Sequence, residues 1–131
     1  TKRNRLLWLH GYGPNQPYTC DLANGEWTAR QHPASTEKLA FDALSASLGM
    51  VYVQHQDAFL VRANAAGGRV YRIDAQTMAV SYLATAGGDR ISRGAVLSGE
   101  DGVYNRWLYV PQLRGVVYFP LSASNAWFLQ L

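Results

Sequence analysis

The stretch Tyr18-Thr-Cys-Asp21-Leu-Ala-Asn-Gly-Glu-Trp27 sets the pattern of the whole chain. Its tyrosine is followed three positions later by an aspartate, and six positions after that by a bulky apolar residue. The same pattern recurs 53 residues on, in Tyr71-Arg-Ile-Asp74-Ala-Gln-Thr-Met-Ala-Val80. Tyr118, Leu121 and Trp127 keep the spacing a third time without the acid, 47 residues further on. A repeat near 50 residues predicts one supersecondary unit that is used several times.

Short β-prone runs separated by Gly, Pro, Asn and Asp make up most of the chain. About a dozen strands are predicted, without helices. They are residues 6–10, 18–21, 26–30, 39–42, 50–53, 58–63, 69–74, 80–83, 95–97, 106–110, 115–119 and 126–131. Asn24 and Gly25 are predicted to form a hairpin turn, because both readily adopt a positive φ. The pattern is typical of an all-β sandwich, barrel or propeller.

The internal repeat favours a β-propeller among these architectures. A competing alignment, at a spacing of 66 to 68 residues, matches strands 39–42 and 49–53 with strands 107–110 and 115–119. It gives the middle unit one strand more than a four-stranded blade needs, and a longer hairpin within that unit would reconcile the two alignments. We expect one segment over residues 1–131, with approximate units at 1–30, 38–84 and 94–131.

The chain resembles the kelch-type β-propeller family, which includes the central domain of galactose-oxidase-like proteins. A kelch unit has an apolar strand, a Gly-rich turn, a tyrosine-containing strand that ends in Asp, and then a Trp. The residues that follow this order are Leu6 to Leu9, Gly11, Gly13, Tyr18, Asp21 and Trp27, and then Gly67, Gly68, Tyr71 and Asp74. Residues 102–131 resemble the last blade of secreted bacterial kelch-like proteins, which implies an extracellular or periplasmic location.

The resemblance implies about three blades, whereas closed propellers have about four to eight. We therefore expect either the C-terminal part of a longer chain or copies that associate to close a ring. A twisted blade covers its two faces by stacking on its neighbours, so the aromatic residues of the repeat are expected to pack between blades. These residues are Trp8, Trp27, Trp107, Trp127, Tyr18, Tyr71 and Tyr118.

Composition argues against several classes of function. The 12 basic and 9 acidic residues give a formal net charge of +3, and the basic residues are scattered except in Lys2-Arg3-Asn4-Arg5. Nucleic-acid binding is not expected, because no basic stripe is present. No apolar run approaches the roughly 18 residues of a membrane span. Cys20, the single cysteine, cannot form an internal disulfide and is interpreted as a small buried hydrophobe.

All three histidines, His10, His32 and His55, fall in loops that we expect at one end of the propeller. Those loops are residues 10–17, 31–37, 54–57, 87–105 and 120–125. Imidazoles that converge there could bind a metal ion, the one cofactor considered. The alternative is three separate solvated histidines, and no HxH or HxxxH spacing supports a metal site.

The richest polar segment is the loop from residue 87 to residue 106. Its Arg, Asp, Asn and Tyr side chains suit sugar hydroxyls or a protein partner, although polar connections are also common where nothing binds. The candidate ligand-binding residues are Tyr12, Arg90, Arg93, Asp101, Tyr104, Asn105 and Arg106.

No catalytic constellation is visible, because the sequence has no Gly-rich phosphate loop, Gly-x-Ser-x-Gly motif or zinc-protease helix. No residue is therefore assigned a catalytic role. The leading hypothesis is a non-catalytic binding or assembly module whose loops face a glycan or protein partner. The alternative is a fragment of a secreted carbohydrate-active enzyme (oxidase, lyase or hydrolase) with its catalytic residues largely elsewhere. A third hypothesis is a structural subunit whose blades stack between copies.

Overall fold

The computed structural model describes residues 3–9, 15–44, 48–62, 69–85, 106–119 and 125–131. Within these ranges the chain is mainly antiparallel β-structure, as predicted, with ten strands in three sheets and one short α-helix. The elements are β1 (Arg5–Leu9), β2 (Pro17–Asp21), β3 (Trp27–Ala29), α1 (Thr36–Asp42), β4 (Gly49–Val53), β5 (Ala58–Arg62), β6 (Val70–Asp74), β7 (Val80–Leu83), β8 (Trp107–Val110), β9 (Gly115–Tyr118) and β10 (Trp127–Gln130). No helix in this part of the chain is long and apolar enough to cross a membrane.

Each sheet is a meander in which sequential strands are neighbours. The first sheet has the order β1-β2-β3, the middle sheet β4-β5-β6-β7, and the third sheet β8-β9-β10. Short 3-10 turns, Gln54–Gln56 and Pro111–Leu113, connect β4 to β5 and β8 to β9. The middle sheet lies between the other two, because its two faces belong to two different hydrophobic clusters.

The first sheet repeats the last three strands of the middle sheet at a displacement of 53 positions (21 to 74). Asp21 pairs with Arg5 in the first sheet, and Asp74 pairs with Ala58 in the middle sheet. The following strand pair matches as well, since Trp27 lies opposite Cys20 and Val80 lies opposite Ile73. The register confirms that the two Tyr-x-x-Asp segments are structurally equivalent.

The two aspartates of the repeat begin turns of the same shape. A side-chain oxygen of Asp21 accepts a hydrogen bond from the Ala23 backbone N–H at 2.9 Å, and Asp74 does the same for Gln76 at 3.0 Å. Four positions after each aspartate the backbone is left-handed, with φ of 75° at Gly25 and 61° at the equivalent Met78. The hairpin turn predicted at Asn24 and Gly25 is confirmed, with a positive φ at Gly25 but not at Asn24.

The third sheet repeats the first strands of the middle sheet at a displacement of 57 positions (53 to 110). Val53 pairs with Ala58 across one 3-10 turn, and Val110 pairs with Gly115 across the other. The third occurrence of the 47–53 spacing is therefore wrong in register: Tyr118 occupies the position of Val61 in β5, not that of Tyr71 in β6.

The strand predicted at residues 39–42 is wrong, because these residues lie in α1. Ser35 caps this helix, accepting a hydrogen bond on Oγ from the Lys38 backbone N–H at 3.0 Å. Strong helix formers follow the cap, and the helix buries Phe41 against the middle sheet. The middle sheet has four strands without an extra one, so the alignment at 66 to 68 residues matched a helix with a strand. The strand predicted at 95–97 lies outside the described residues.

The core consists of one cluster on each face of the middle sheet, and β5 is buried along its whole length. The cluster toward the first sheet and α1 contains Phe41, Phe59, Val61, Tyr71, Ile73, Ala75, Met78 and Val80, with Leu7 and Leu9 packed against it. The cluster toward the third sheet contains Val53, Leu60, Val70, Trp107, Val116 and Tyr118. Burial of these side chains is the main force that holds the three sheets together.

The aromatic residues of the repeat differ in burial. Trp107, Tyr71 and Tyr118 are buried, as expected for residues that pack between sheets. Trp8 and Trp27 are 50% and 56% exposed, so the described part of the chain does not bury them, and their packing between blades stays a prediction. The prediction for the cysteine is confirmed, because Cys20 is buried.

Candidate functional site

The middle sheet turns one face toward the first sheet and the other toward the third sheet. In the middle sheet, Phe59 and Val61 point to the first cluster, and Leu60 between them points to the second. Alternation along the strand places successive side chains on opposite faces. We call the face that carries Phe59 and Val61, together with its equivalent in each of the other two sheets, the trailing face. The opposite face, which carries Leu60 in the middle sheet, is the leading face.

The trailing face of the first sheet is uncovered in the described structure and carries Leu6, Trp8, Tyr18 and Trp27. Trp8 and Tyr18 are paired across β1 and β2, with ring centroids 5.3 Å apart. Trp8 and Trp27 make an edge-on contact at 6.4 Å. Leu6 is 50% exposed beside them. These four residues, three of them aromatic, form an apolar surface, and such surfaces commonly mark interaction sites.

The leading face of the third sheet is also uncovered in the described structure. Leu108, Val117 and Phe128 lie opposite one another across β8, β9 and β10. Leu108 is 47% exposed and Phe128 is 49% exposed. The described molecule therefore ends in an apolar face on each side, whereas its middle sheet is covered on both faces.

A third feature, which we call the polar cleft, lies between the first sheet and α1. It encloses about 230 Å³. Its lining residues are Asn15, Gln16, Pro17, Arg30, Gln31, His32, Lys38 and Asp42. Lys38 and Asp42 are one helical turn apart on α1 and form an ion pair. Two cationic side chains, one carboxylate and three amides thus surround a small space.

The imidazole ring of His32 contacts two backbone carbonyl oxygens beside the polar cleft. Its Nδ1 lies 2.6 Å from the Met78 carbonyl oxygen, and its Nε2 lies 3.1 Å from the Asn15 carbonyl oxygen. A neutral imidazole has one N–H and donates to one of these carbonyls, whereas an imidazolium donates to both. The ring also packs edge-on against Phe41, with centroids 5.5 Å apart. These contacts connect the cleft to the turn between β6 and β7.

Asn15 forms the floor of the polar cleft and is 1% exposed. Its Nδ2 donates to the Phe41 carbonyl oxygen at 2.6 Å. Its Oδ1 is also buried but accepts no hydrogen bond in this structure. A buried polar atom without a partner costs about 1–3 kcal/mol, so such atoms require an explanation.

Of the three histidines predicted as metal ligands, His10 lies outside the described residues. His32 is buried on the side of the first cluster. His55 is exposed on the other side of the middle sheet, with its Nδ1 2.8 Å from the Tyr109 hydroxyl. No group of three or more His, Cys, Asp or Glu that could hold a metal ion occurs among the residues described.

The turn at residues 54–57 is not at the end of the sheet where the sequence placed it. The helix at Thr36–Asp42 reduces the strand count by one, so this turn joins the first and second strands of the middle sheet. It lies beside the turn from β6 to β7, since the Ala75 N–H donates to the Asp57 carbonyl oxygen at 3.0 Å. In an antiparallel meander this end is opposite to the connection between β5 and β6.

Most of the predicted ligand-binding residues cannot be compared with the structure. Tyr12, Arg90, Arg93, Asp101, Tyr104 and Asn105 lie outside the described residues. Arg106 precedes β8 and is partly buried, and its carbonyl oxygen accepts a hydrogen bond from the Phe119 N–H at 3.0 Å. Sequence reasoning missed the polar cleft, although the Ser35 cap was a readable signal for the helix that forms one of its walls.

Two ionisable groups near the β6–β7 hairpin have shifted pKa values. The pKa of Tyr71 is raised to about 12, mainly because the side chain is buried. The neighbouring Tyr82 raises this pKa further. The backbone N–H of Thr77 is the main cause that lowers the pKa of Asp74 below its usual value. Both shifts have structural causes, and neither residue lines the polar cleft.

No protein-family model matches the sequence, and no curated protein or solved structure is significantly similar to it. Function is therefore inferred from the residues and their contacts.

Proposed function

We propose that this chain is a non-catalytic assembly module made of kelch-like β-propeller blades, and that copies associate head to tail. In this arrangement the leading face of the third sheet of one copy covers the trailing face of the first sheet of the next. The observation that carries the proposal is that two apolar sheet faces are uncovered, one on each side of the described stack.

The internal contacts of the chain supply a template for this interface. Phe59 in β5 is covered by the first sheet, and its equivalent in the first sheet is Leu6, 53 positions earlier (6 to 59), which is uncovered. Leu60 faces the third sheet, and its equivalent in that sheet is Val117, 57 positions later (60 to 117). The two uncovered faces are therefore the equivalents of the two faces of the middle sheet, each of which is covered by a neighbouring sheet within the chain.

Energetics support the same arrangement. A buried aromatic side chain removes about 150–250 Å² from water, and this burial is the dominant favourable term in most associations. Trp8, Trp27 and Phe128 are each about half exposed in the described structure. An interface that joins different surfaces of identical copies either closes into a ring or extends without limit. A propeller ring is the closed form.

The test is the solution mass of the purified chain, measured by light scattering coupled to size exclusion. We expect one defined oligomer. Trp27→Glu on the trailing face or Phe128→Glu on the leading face should each reduce it to smaller species. Leu39→Glu is the matched control, because Leu39 is 70% exposed on α1 and belongs to neither face.

A mixture of the two interface variants gives the sharpest result. Each variant keeps the face that the other has lost, so an equimolar mixture should form a complex of one copy of each and nothing larger. An interface between two identical faces would not be rescued in this way. A wild-type chain that stays monomeric at high concentration would overturn the proposal, as would variants that assemble like the wild type.

A further inference from the structure

We propose that the polar cleft binds a small neutral polyhydroxylated ligand of the size of a single sugar ring. The inference is independent of the head-to-tail assembly, because the cleft lies between the first sheet and α1 and includes none of the residues of the two uncovered faces.

The floor of the cleft requires a hydrogen-bond donor. Asn15 Oδ1 is buried without a partner, while the Nδ2 of the same side chain is fixed by the Phe41 carbonyl oxygen at 2.6 Å. Rotation of the amide would replace the orphaned acceptor with an orphaned donor and would set two carbonyl-type oxygens against each other. The group that satisfies this position must therefore bring an O–H or N–H of its own.

The groups at the floor and walls of the cleft disfavour carboxylates and cations. A carboxylate has no proton to donate and cannot satisfy Asn15 Oδ1, whereas inorganic phosphate keeps an O–H at neutral pH and therefore serves as a competing probe. A cation would face Arg30 together with Lys38, against the single carboxylate of Asp42, which is already paired with Lys38. A neutral donor fits both the floor and the walls, and hydroxyl groups, like amides, both donate and accept hydrogen bonds.

Several hydroxyl groups fit the remaining walls. Arg30 and Lys38 offer N–H donors, and the amides of Gln16 and Gln31 offer both donors and acceptors. The volume of about 230 Å³ is below the range of about 300–1,000 Å³ for drug-sized ligands. A single ring with adjacent hydroxyls combines the required size with the required chemistry.

Binding is tested on the full chain with free galactose, glucose, mannose, N-acetylglucosamine and myo-inositol, by saturation-transfer NMR and by ¹H–¹⁵N spectra. Inorganic phosphate and glycine are the charged comparisons. We expect at least one neutral probe to bind saturably and to shift the side-chain amide signals of Asn15. Asn15→Leu should abolish this binding, because Leu fills the same space without an acceptor.

Two variants at the rim of the cleft test the proposed binding even if Asn15→Leu does not fold. Arg30→Gln and Lys38→Met should each weaken binding about tenfold, as expected for the loss of one hydrogen bond. Arg5→Gln removes the same charge from the first sheet outside the cleft and should leave binding unchanged. The proposal is overturned if no neutral probe saturates, if phosphate or glycine binds in preference, or if both rim variants bind like the wild type. It is also overturned if only an ordered water occupies the floor in the presence of the probes.

Discussion

Asp57 and Arg114 adopt the same left-handed backbone conformation at the same position of two equivalent turns. Their φ and ψ angles are 46° and 50° for Asp57, and 46° and 47° for Arg114. Each residue ends a 3-10 turn and is followed by the second strand of its sheet. The turn therefore fixes the backbone, while the side chains of the two residues have different roles.

Replacement of Arg114 by Gly should stabilise the protein. The left-handed conformation costs about 1–2 kcal/mol for a residue with a Cβ, and glycine avoids this cost. Part of the benefit is offset, because glycine also makes the unfolded chain more flexible and so raises its entropy. Because the Arg114 side chain is exposed, we expect a net increase of about 0.5–1 kcal/mol in the free energy of unfolding. Urea denaturation of the variant and the wild type measures the difference.

The same replacement at Asp57 is the matched control and should have the opposite sign. Asp57 Oδ1 accepts from the Tyr52 hydroxyl at 2.8 Å, and Oδ2 accepts from Arg3 at 2.7 Å. Loss of these partly exposed contacts should outweigh the relief of backbone strain, with a net cost of about 1 kcal/mol. Equal effects of Asp57→Gly and Arg114→Gly would show that these side-chain contacts add nothing.

Gly115 follows the turn that ends at Arg114, at a position where the surrounding atoms leave no room for a side chain. A Cβ there would lie 2.7 Å from the Leu129 carbonyl oxygen and closer still to the ring of Phe128. We expect Gly115→Ala to destabilise the protein by about 1–3 kcal/mol through overpacking. Denaturant unfolding of the single variant, and of the double variant with Phe128→Ala, tests the cause, because removal of the ring should restore part of the loss.

Gly25→Ala separates steric overlap from backbone strain. Gly25 has a φ of 75°, and no atom lies within 4 Å of the position that a Cβ would occupy, so its substitution should cost about 1 kcal/mol through the backbone alone. Phe128→Ala should not rescue this variant. Rescue of both glycine variants by Phe128→Ala would contradict the assigned contact.

Most strand positions and the β2–β3 turn could be predicted from the sequence, because their signals are local. Alternating apolar residues mark the strands, and Asn24-Gly25 marks the turn. The equivalent left-handed residue in the β6–β7 turn is Met78, a residue type that does not signal a positive φ. The helix was missed at Leu39 to Asp42, where a short apolar run fits a strand as well as a helix. The cap at Ser35 decides between them.

The candidate sites depend on tertiary contacts and could not be predicted. Trp8 occupies the position of Val61 in the repeat, yet Trp8 is half exposed and Val61 is buried, because Val61 lies in the hydrophobic cluster toward the first sheet. The cleft residues Asn15, Arg30 and Lys38 come from three separate segments. No spacing in the sequence indicates that these three side chains line one space.

Alkaline pH should destabilise the protein through Tyr71. Burial is the main cause of the raised pKa, which is about 12 in the folded protein against 10.0 in the unfolded chain. The folded state therefore holds the proton more tightly, and this contribution to stability is complete below pH 10 and is lost as the pH rises toward 12. The unfolding free energies of the wild type and Tyr71→Phe should differ by a constant amount below pH 10, and the wild type should lose stability relative to Tyr71→Phe as the pH rises from 10 toward 12. A wild-type phenolate titration that is complete near pH 10 would contradict the prediction.

Acid should destabilise the protein through Asp74. The backbone N–H of Thr77 is the main cause of its lowered pKa, and the N–H of Gln76 adds to it. The two donors lie 2.9 and 3.0 Å from Asp74 Oδ1. Because the folded state favours the carboxylate, its contribution to stability is present above the unfolded-state pKa of 3.8 and is lost as the pH falls through the lower folded-state value.

Asp74→Asn keeps an oxygen for the two N–H groups but removes the charge and the titration. We expect the variant to be less stable than the wild type by about 1 kcal/mol at neutral pH, since hydrogen bonds to a charged group are stronger than those to an amide. This difference should shrink as the pH falls below 3.8, and urea denaturation at a series of pH values measures it. Glu26→Gln, at an exposed carboxylate outside this turn, controls for the loss of one negative charge from the protein. A difference between wild type and Asp74→Asn that stays constant across the acid range would show that the N–H groups of the turn do not favour the carboxylate over the neutral form.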